Sequence, residues 1–457
     1  MFHGIRELLE LDAGYTGICR RLLNEAAASV GDEIIVVTRR GEYRGTLLMR
    51  YEMGAQDRIV LKLANGYNIG VKVWEDSRVI RIAKSTPPAF RPVHPLPALG
   101  ELPKVAIVST GGTIASRIDY RTGGVRPALS ASDLLTVVPE LSQIAQISTE
   151  VLMSIYSENM TAQHWTVIAE KVDELIRSGV DGVVIAHGTD TMGYTAAALS
   201  FALLKPPIPI VIVGSQRSSD RPSSDAAINL IAAVDFAGRS PVAEVCVCMH
   251  DGYSDEVISI HRGTRVVKLH TSSRSAFKSI NSQPIAFWTP SGIRITSKGL
   301  NPRRGEGYSF SQFFDDRAIL VKYHPSLRPE VLLVLRERLG VRGFIVEGTG
   351  LGHVASSYID VLKDLTEDGV FVGMTSQCRN GRVNMLVYDN GRDLMRAGAT
   401  PLEDILPETA LVKLMWVLGR LGGSASLEDV KRLMLTNLSG EISPRTLPEL
   451  GGQGLGL

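Results

Sequence analysis

Hydrophobic spacing changes near Gly31 and divides the start of the chain into a helical and a β-rich region. Before it, apolar residues such as Ile18 and Leu22 recur at helical spacing, and Gly14 and Gly17 are expected to break the pattern into two pieces. After it come short segments rich in β-branched residues and separated by turn signals: Glu33–Arg39, Glu42–Tyr51, Arg58–Leu63, Gly70–Trp74 and Val79–Ile82. Residues 1–84 are therefore predicted to form a helical segment followed by a small SH3-like β-barrel.

A proline-rich stretch follows this predicted barrel. Residues 85–103 contain six prolines, which sustain neither a helix nor a central strand. We predict an extended, semi-rigid linker over these residues.

From Lys104 onwards, apolar strand-like runs alternate with helical stretches. The strand candidates are Val105–Ser109, Val183–Ala186, Ile208–Val213 and Val245–Met249, and helical candidates include Ala162–Ser178 and Met192–Leu204. This alternation predicts βαβ units and a parallel sheet with both faces covered. We assign a first α/β lobe to residues 104–312.

The pattern loosens around residues 305–316 and then resumes as a second, smaller α/β set. Its predicted strands are Ala318–Tyr323, Gly343–Val346 and Val370–Met374, and its predicted helices lie near Arg328–Leu339, Ser356–Asp364, Glu408–Leu418 and Ser426–Leu435. These elements predict a second lobe over residues 313–438. The Gly- and Pro-rich residues 439–457 are predicted to be a tail that either frays or docks on a partner.

Composition adds few restrictions. The 457 residues are 44% hydrophobic and 21% charged, as in globular proteins with a sizeable core. A net charge of +1 disfavours a large phosphate-binding surface but leaves a local basic patch open. No run reaches the roughly 18 apolar residues of a membrane span, and the N-terminus lacks a secretory pattern. We expect a cytoplasmic protein.

The four cysteines favour a reducing compartment. Cys246 and Cys248 lie in the apolar run Glu244–Met249, where strand alternation places both side chains on one face. No companion cysteine or histidine pair has zinc spacing. We therefore expect these two residues to be buried free thiols.

Two short glycine-containing segments carry the candidate chemistry. Thr110–Ala115 (TGGTIA) and His187–Met192 (HGTDTM) each follow a predicted buried strand. They place two threonine hydroxyls and a carboxylate at the carboxyl ends of strands, where open α/β sheets build their sites. A hydroxyl beside a glycine turn is suited to attack a carbonyl. Alone, the first is also compatible with a structural turn or phosphate loop, and the second with a helix N-cap.

Together these segments resemble the two signature motifs of the L-asparaginase family, and the similarity extends from about Lys104 to Ser439. The run His261–Asn281, with the predicted barrel and linker, resembles one branch: the D-type glutaminase subunits of archaeal glutamyl-tRNA(Gln) amidotransferases. The resemblance implies a two-lobed parallel-sheet α/β unit, a dimeric catalytic unit and a threonine-based amidase.

The resemblance also assigns roles to individual residues. It implies catalytic roles for Thr113, Thr189, Asp190 and Lys268, and a looser catalytic assignment for Tyr120. It also implies that Ser157 and Glu158 bind the α-carboxylate and α-amino group of the substrate.

Elementary chemistry agrees with these roles but leaves alternatives. A threonine hydroxyl needs a base, and Lys268 supplies one if neutral. Burial favours a neutral lysine, whereas a carboxylate such as Asp190 favours the charged form. Lys268 alone would usually be a solvated charge, and Ser157-Glu158 is also compatible with a cap before a helix. Other polar residues receive no catalytic role. We expect structural roles for His187, His261 and His270, and we assign no chemistry to the loop Glu347–Gly352. The basic stretch with Arg262, Arg265 and Arg274 is expected either to face a partner or to be ordinary surface.

The function implied is hydrolysis of glutamine to glutamate and ammonia. The ammonia would pass to an E-type partner subunit, which amidates Glu-tRNA(Gln) and binds the tRNA, ATP and Mg. This chain would need no cofactor or metal for its own step, and would form a homodimer within a heterotetramer, away from membranes. The alternatives are a free-standing L-asparaginase, which has no need of a docking barrel, and a non-catalytic interaction protein that keeps the fold.

Overall fold

A computed structural model describes residues 15–48, 56–63, 68–84, 102–111, 116–119, 124–127, 138–217, 224–252, 255–423 and 425–446. The first of the two predicted N-terminal helical pieces, nearly all of the linker, Thr113 and Tyr120 lie outside these residues.

The N-terminal region is a helix packed on a five-stranded antiparallel sheet. The helix is α1 (Gly17–Glu25). All five predicted strands are confirmed, as β1 (Glu33–Thr38), β2 (Gly41–Leu47), β3 (Arg58–Lys62), β4 (Asn68–Lys72) and β5 (Arg78–Ala83). The sheet has the order β4-β3-β2-β1-β5, and the helix contributes Cys19 and Leu22 to its core. The Tyr15 hydroxyl donates to the Leu48 carbonyl at 2.8 Å and accepts from the Val60 N–H at 2.9 Å, which joins the start of the helix to the sheet.

The first lobe is built on an eight-stranded sheet. The strands of this lobe are β6 (Lys104–Ser109), β7 (Ser116–Asp119), β8 (Gly124–Pro127), β9 (Gln146–Val151), β10 (Gly182–Ala186), β11 (Leu203–Leu204), β12 (Ile210–Val213), β13 (Val245–His250), β14 (Ile258–Arg262), β15 (Val266–Lys268), β16 (Phe277–Ser279), β17 (Ala286–Thr289), β18 (Gly292–Ile295) and β19 (Ser309–Phe310). The eight-stranded sheet has the order β18-β17-β14-β13-β12-β10-β6-β9. Its strands β9, β6, β10, β12 and β13 run parallel, whereas β14, β17 and β18 extend it in antiparallel order.

Helices cover both faces of this sheet. One face packs on α4 (Ala226–Arg239), and the other on α2 (Ala162–Arg177) and α3 (Met192–Ala202). Cys246 and Cys248 are fully buried and free, as predicted. The predicted parallel, doubly covered sheet is confirmed, but its antiparallel extension was not predicted because those strands are short and have no helices between them.

The second lobe has a parallel four-stranded sheet. Its elements are β20 (Ala318–Lys322), α5 (Glu330–Leu339), β21 (Gly343–Gly348), α6 (Ile359–Glu367), β22 (Phe371–Ser376), α7 (Asp389–Arg396), β23 (Thr400–Pro401), α8 (Pro407–Leu421) and α9 (Leu427–Leu435). The strand order is β20-β21-β22-β23. The three predicted strands and four predicted helices are present, and α7 is an additional helix whose sequence is too polar to be recognised.

The two lobes share a core. Helix α8 is largely buried and packs against α3 of the first lobe, with Trp416 beside Phe201 at 6.0 Å between ring centroids. Within the described ranges, no helix has the length and apolar content that crossing a membrane requires.

The first residues of the predicted tail, 439–443, lie against the chain's own body. Ser439 donates its hydroxyl to the Ser200 carbonyl of the first lobe at 2.8 Å, and the Ser443 N–H donates to Asp404 of the second at 2.9 Å. These residues are therefore held in place and are not frayed, whereas docking of the tail on a partner stays a prediction.

Candidate active site

Both motifs begin at the carboxyl edge of the parallel sheet. Strand β10 is buried along its whole length between β6 and β12, and the chain turns into α3 directly after it. Thr110, at the end of β6, donates both its N–H and its hydroxyl to the Ala186 carbonyl, each at 3.0 Å. The start of the first motif is therefore bonded to the residue that precedes the second.

A buried histidine fixes the turn of the second motif. His187 Nδ1 lies 2.6 Å from the Gly188 carbonyl, and since a carbonyl only accepts, Nδ1 carries the proton. Nε2 then accepts from the Thr195 hydroxyl at 2.9 Å, which itself accepts from Trp165 Nε1 at 3.1 Å. Burial lowers the pKa of His187 to about 4, so it stays neutral. These bonds give His187 the structural role predicted for it.

Ser157 lies directly against this turn. It is buried, its hydroxyl accepts from the Asp190 N–H at 3.3 Å, and its carbonyl accepts from the Thr191 hydroxyl at 2.7 Å. A Cβ added to Gly188 would approach the Ser157 side chain to 2.8 Å. Only a glycine at position 188 permits so close an approach.

Lys268 reaches the second motif from the hairpin formed by β15 and β16. Its Nζ lies 2.9 Å from Thr189 Oγ1 and 2.6 Å from Asp190 Oδ1. The lysine side chain is 15% exposed and the aspartate 65% exposed, so the ion pair lies at the mouth of the site. Lys268 follows Thr189 by 79 positions in the chain, and the two meet as the resemblance implied.

Glu158 makes no contact with the hydroxyl, amine and carboxylate described above, and two further predicted site residues are not described. Glu158 is exposed on the short 3-10 turn Ser157–Asn159, next to the buried serine. Thr113 and Tyr120 lie outside the described residues.

The other two histidines named in the sequence analysis, His261 and His270, also have local hydrogen-bond partners. His261 is buried with Nδ1 2.8 Å from Ser279 Oγ, and burial lowers its pKa to about 3. His270 is exposed, and its Nδ1 accepts backbone N–H groups of Ser272 and Ser273.

The basic stretch is not plain solvent-exposed surface, so that predicted alternative was wrong, and the partner-facing alternative stays a prediction. Arg265 is 1% exposed and joins the two lobes. Arg262 pairs in bidentate fashion with Glu244 at 2.8 and 3.0 Å, and Arg274 is mostly buried beside Asp255. The reason is tertiary: carboxylates and carbonyls distant in sequence surround these guanidinium groups.

Sequence reasoning missed a second polar cluster between the lobes. Arg379 pairs with Glu408 at 2.6 Å. Burial and the nearby Glu408 raise the pKa of Tyr194, on α3, to about 12. Burial also raises the pKa of Glu347, which begins the glycine-rich loop of the second lobe. Nothing in the local sequence links these residues, because each belongs to a different element.

Among the described residues, no group of three or more histidine, cysteine, aspartate or glutamate side chains is arranged to hold a metal ion. The arrangement present is an amine within hydrogen-bond distance of both a hydroxyl and a carboxylate. An amine within hydrogen-bond distance of a hydroxyl is suited to accept its proton, which would make the oxygen a nucleophile for a carbonyl.

Family models match three parts of the chain. Residues 104–300 match "Asparaginase, N-terminal", residues 317–434 match "Glutaminase/Asparaginase C-terminal domain", and residues 28–82 match "GatD N-terminal domain".

Solved structures share the two-lobed fold. The thermostable L-asparaginase from Thermococcus kodakarensis superposes with a TM-score of 0.66 and 34% identity, covering 74% of this chain and 99% of that one. L-asparaginase I from Vibrio cholerae gives a TM-score of 0.64 and 28% identity, covering 75% of this chain and 99% of that one.

Curated relatives match nearly the whole chain. The D-type subunit of glutamyl-tRNA(Gln) amidotransferase from Metallosphaera sedula is 48% identical over 94% of this chain and 97% of its own length. The protein of the same name from Pyrococcus abyssi is 47% identical over 93% of this chain and 97% of its own length. Since this similarity spans the barrel and both lobes, the chain belongs to the family of D-type glutamyl-tRNA(Gln) amidotransferase subunits.

Proposed function

We propose that the chain is the glutaminase subunit of a tRNA-dependent amidotransferase, and that Thr189, Asp190 and Lys268 carry its chemistry. The observation that carries the site assignment is the position of Lys268 Nζ, 2.9 Å from the Thr189 hydroxyl and 2.6 Å from Asp190. The family relationship, which includes the N-terminal barrel, supports the tRNA-coupled reaction over that of a free L-asparaginase.

The proposed reaction proceeds through an ester. Neutral Lys268 accepts the proton of a threonine hydroxyl while the oxygen attacks the side-chain amide carbon of glutamine. The lysine then returns the proton to the amide nitrogen, the C–N bond breaks and ammonia leaves. Water hydrolyses the ester, which releases glutamate and restores the hydroxyl. In this scheme, backbone N–H groups of the glycine turns stabilise the oxyanion.

Asp190 and Ser157 have supporting roles in this scheme. Asp190 accepts a hydrogen bond from the neutral lysine amine and so orients it, and it pairs with the ammonium once the lysine has taken the proton. Ser157 with Glu158 binds the α-carboxylate and α-amino group of the substrate. Thr113 and Thr189 are both candidates for the attacking hydroxyl, and Tyr120 is a further catalytic candidate near the first motif.

The proposed setting is a cytoplasmic complex. The chain works as a homodimer within a heterotetramer, and an E-type partner subunit receives the ammonia and converts Glu-tRNA(Gln) to Gln-tRNA(Gln). ATP and Mg act in that partner, which makes most of the tRNA contacts. The step on this chain uses no cofactor.

The site assignment is tested by exchanging Lys268 for methionine in the purified complex. K268M removes the amine and should lower kcat for ammonia release from glutamine by about 10²–10⁴-fold, the usual contribution of a general base. The matched control is K278M on the same hairpin, because Lys278 donates instead to the Asp251 carbonyl at 3.0 Å. Equal losses in the two variants would contradict the assignment.

The nucleophile is assigned by trapping the ester. An electrophilic glutamine analogue, followed by peptide mass spectrometry, should modify either Thr113 or Thr189 in the native complex. Modification of neither threonine, with the complex inactivated, would show that the proposed ester mechanism is wrong.

A further inference from the structure

Residues 438–443, here called the strap, lie half-buried between the lobes after the last helix, and Glu441 is the fully buried residue among them. Glu441 in the strap forms an ion pair with Lys413 at 2.6 Å, and both side chains are fully buried. Lys413 also donates to the carbonyl oxygens of Met434 and Thr436, and Glu441 accepts from two backbone N–H groups of the strap itself. Both charges are thus satisfied, as buried charges must be.

The strap is bonded to the first lobe just before the hairpin that carries the catalytic lysine. Arg265 Nε donates to the Gly440 carbonyl and Nη2 to Ser443 Oγ, both at 2.9 Å. The hydroxyl of Thr264 donates to the Ser439 carbonyl at 2.9 Å. Two consecutive residues of the first lobe therefore hold the strap.

The same arginine also reaches the second lobe. Arg265 Nη1 donates to the Asp404 carbonyl at 2.9 Å, and Nη2 lies 3.1 Å from Asp404 Oδ2. Asp404 is itself buried and accepts from the backbone N–H of Ser443. One guanidinium group therefore connects the first lobe, the strap and the second lobe, which the planar five-donor fork of arginine permits.

Arg265 stands three residues before Lys268. The Ile280 N–H donates to the Arg265 carbonyl at 2.8 Å, which closes the base of the hairpin at this residue. Strands β15 and β16 pair with each other and form a sheet of their own, apart from the eight-stranded one. Ladder bonds to a large sheet therefore do not fix the hairpin. Its orientation depends on apolar packing of residues such as Phe277, on side-chain bonds such as that of Lys278 to the Asp251 carbonyl, and on anchors at its base.

We propose that the strap is a positioning element for Lys268 and that Arg265 is the positioning residue that links them. The strap holds the base of the hairpin against both lobes, so that the lysine amine stays within hydrogen-bond distance of Thr189. This inference rests on the proposed function in one respect: it takes Lys268 as the catalytic base.

The first test replaces Arg265 with lysine in the full complex, which keeps the charge and removes the fork. We expect kcat for glutamine to fall by about tenfold to a hundredfold, the usual cost of misplacing a catalytic group by about an ångström. KM should change little, and the pH profile of kcat should shift. The matched control is R303K, because Arg303 also donates to backbone carbonyls, those of Ser240 and Ala237, but away from the strap.

The second test measures the strap without using activity. One chain ends after Asn437 and carries Lys413→Met, which removes the strap together with the charge that it neutralises. The control chain ends after Arg445 and keeps the strap. Amide hydrogen exchange of residues 264–280 should be faster in the first chain than in the second, with exchange in α2 unchanged.

The outcomes separate the two hypotheses. Faster exchange of the hairpin together with a lower kcat and an altered pH profile in R265K supports the positioning role. Unchanged hydrogen exchange of the hairpin overturns it. Faster exchange of the hairpin also overturns it if R265K and R303K have the same kcat and the same pH profile. Full activity of K268M would instead overturn the proposed function, while the exchange measurement would still report whether the strap holds the hairpin.

Discussion

Gly188→Ala tests the contact between the second motif and Ser157, the residue proposed to bind substrate. No positive φ restrains this glycine, so the added methyl acts through its contacts alone. Its Cβ would lie 2.8 Å from both Cβ and Oγ of Ser157. Carbon atoms pack favourably at about 3.5–4.0 Å, so the serine would have to move by about 0.7 Å or more.

This displacement sets the expected size of the effect. Overpacking of a filled site costs about 1–3 kcal/mol of folding stability. Since Ser157 accepts from the Asp190 N–H, its shift also loosens the turn that holds Asp190. We expect kcat/KM for glutamine to fall on the order of 10–100-fold, as found for small misplacements of catalytic groups.

The assay compares steady-state ammonia release and urea unfolding of the native and G188A complexes. The control is Gly70→Ala in the N-terminal barrel, where the new Cβ would meet only Arg58 Cδ, at an ordinary 3.7 Å. Native kcat/KM in G188A, with stability equal to that of G70A, would refute the close packing of Ser157 on the motif turn.

Three further predictions concern buried polar groups. Lys413→Met leaves Glu441 as an unpaired buried carboxylate and should lower the free energy of unfolding by about 3–5 kcal/mol. Adding Glu441→Leu to this variant should restore most of the lost stability. Equal urea midpoints of the single and double variants would contradict this prediction. Thr195→Val removes the donor to His187 Nε2 and should cost about 1–3 kcal/mol in the same measurement, so a native midpoint would argue against the network. Burial lowers the pKa of His261 to about 3, below its unfolded value of 6.5, so the unfolded chain binds the additional proton between these values. Its contribution to stability is complete above about pH 6.5 and declines as the pH falls, by up to about 1.4 kcal/mol per pH unit. His261→Gln should therefore flatten the unfolding profile between about pH 4 and 6.5, and an unchanged slope would show that this histidine does not titrate as described.

The sequence predicted the features that local patterns determine. Five short β-branched segments separated by turns indicated the barrel strands, and apolar runs followed by glycine turns indicated the parallel sheet and its edge. Because parallel strands bring their carboxyl ends to one edge, the meeting of Thr110 with Ala186, and of Ser157 with the turn at Asp190, follows from strand order. Lys268 was found only through the family resemblance, since nothing in its own segment indicates that it reaches the motif.

Features that depend on distant partners were not predictable. Arg265 was assigned to a surface or partner-binding stretch, because a run of charged residues is usually solvated, yet its ligands come from residues 404, 440 and 443. The Gly- and Pro-rich composition after residue 438 suggests a loose tail. The burial of Glu441 against Lys413, which joins residues distant in sequence, shows otherwise for residues 439–443. Helix α7 was missed because few of its residues are apolar.

The measurement that tests the central claim most directly is ammonia release from glutamine and from asparagine by the purified complex, with and without Glu-tRNA(Gln). A tRNA-coupled glutaminase predicts a preference for glutamine that rises when the charged tRNA is added, and loss of this activity in K268M. Strong asparagine hydrolysis indifferent to tRNA would contradict it and would indicate an L-asparaginase with an additional N-terminal barrel.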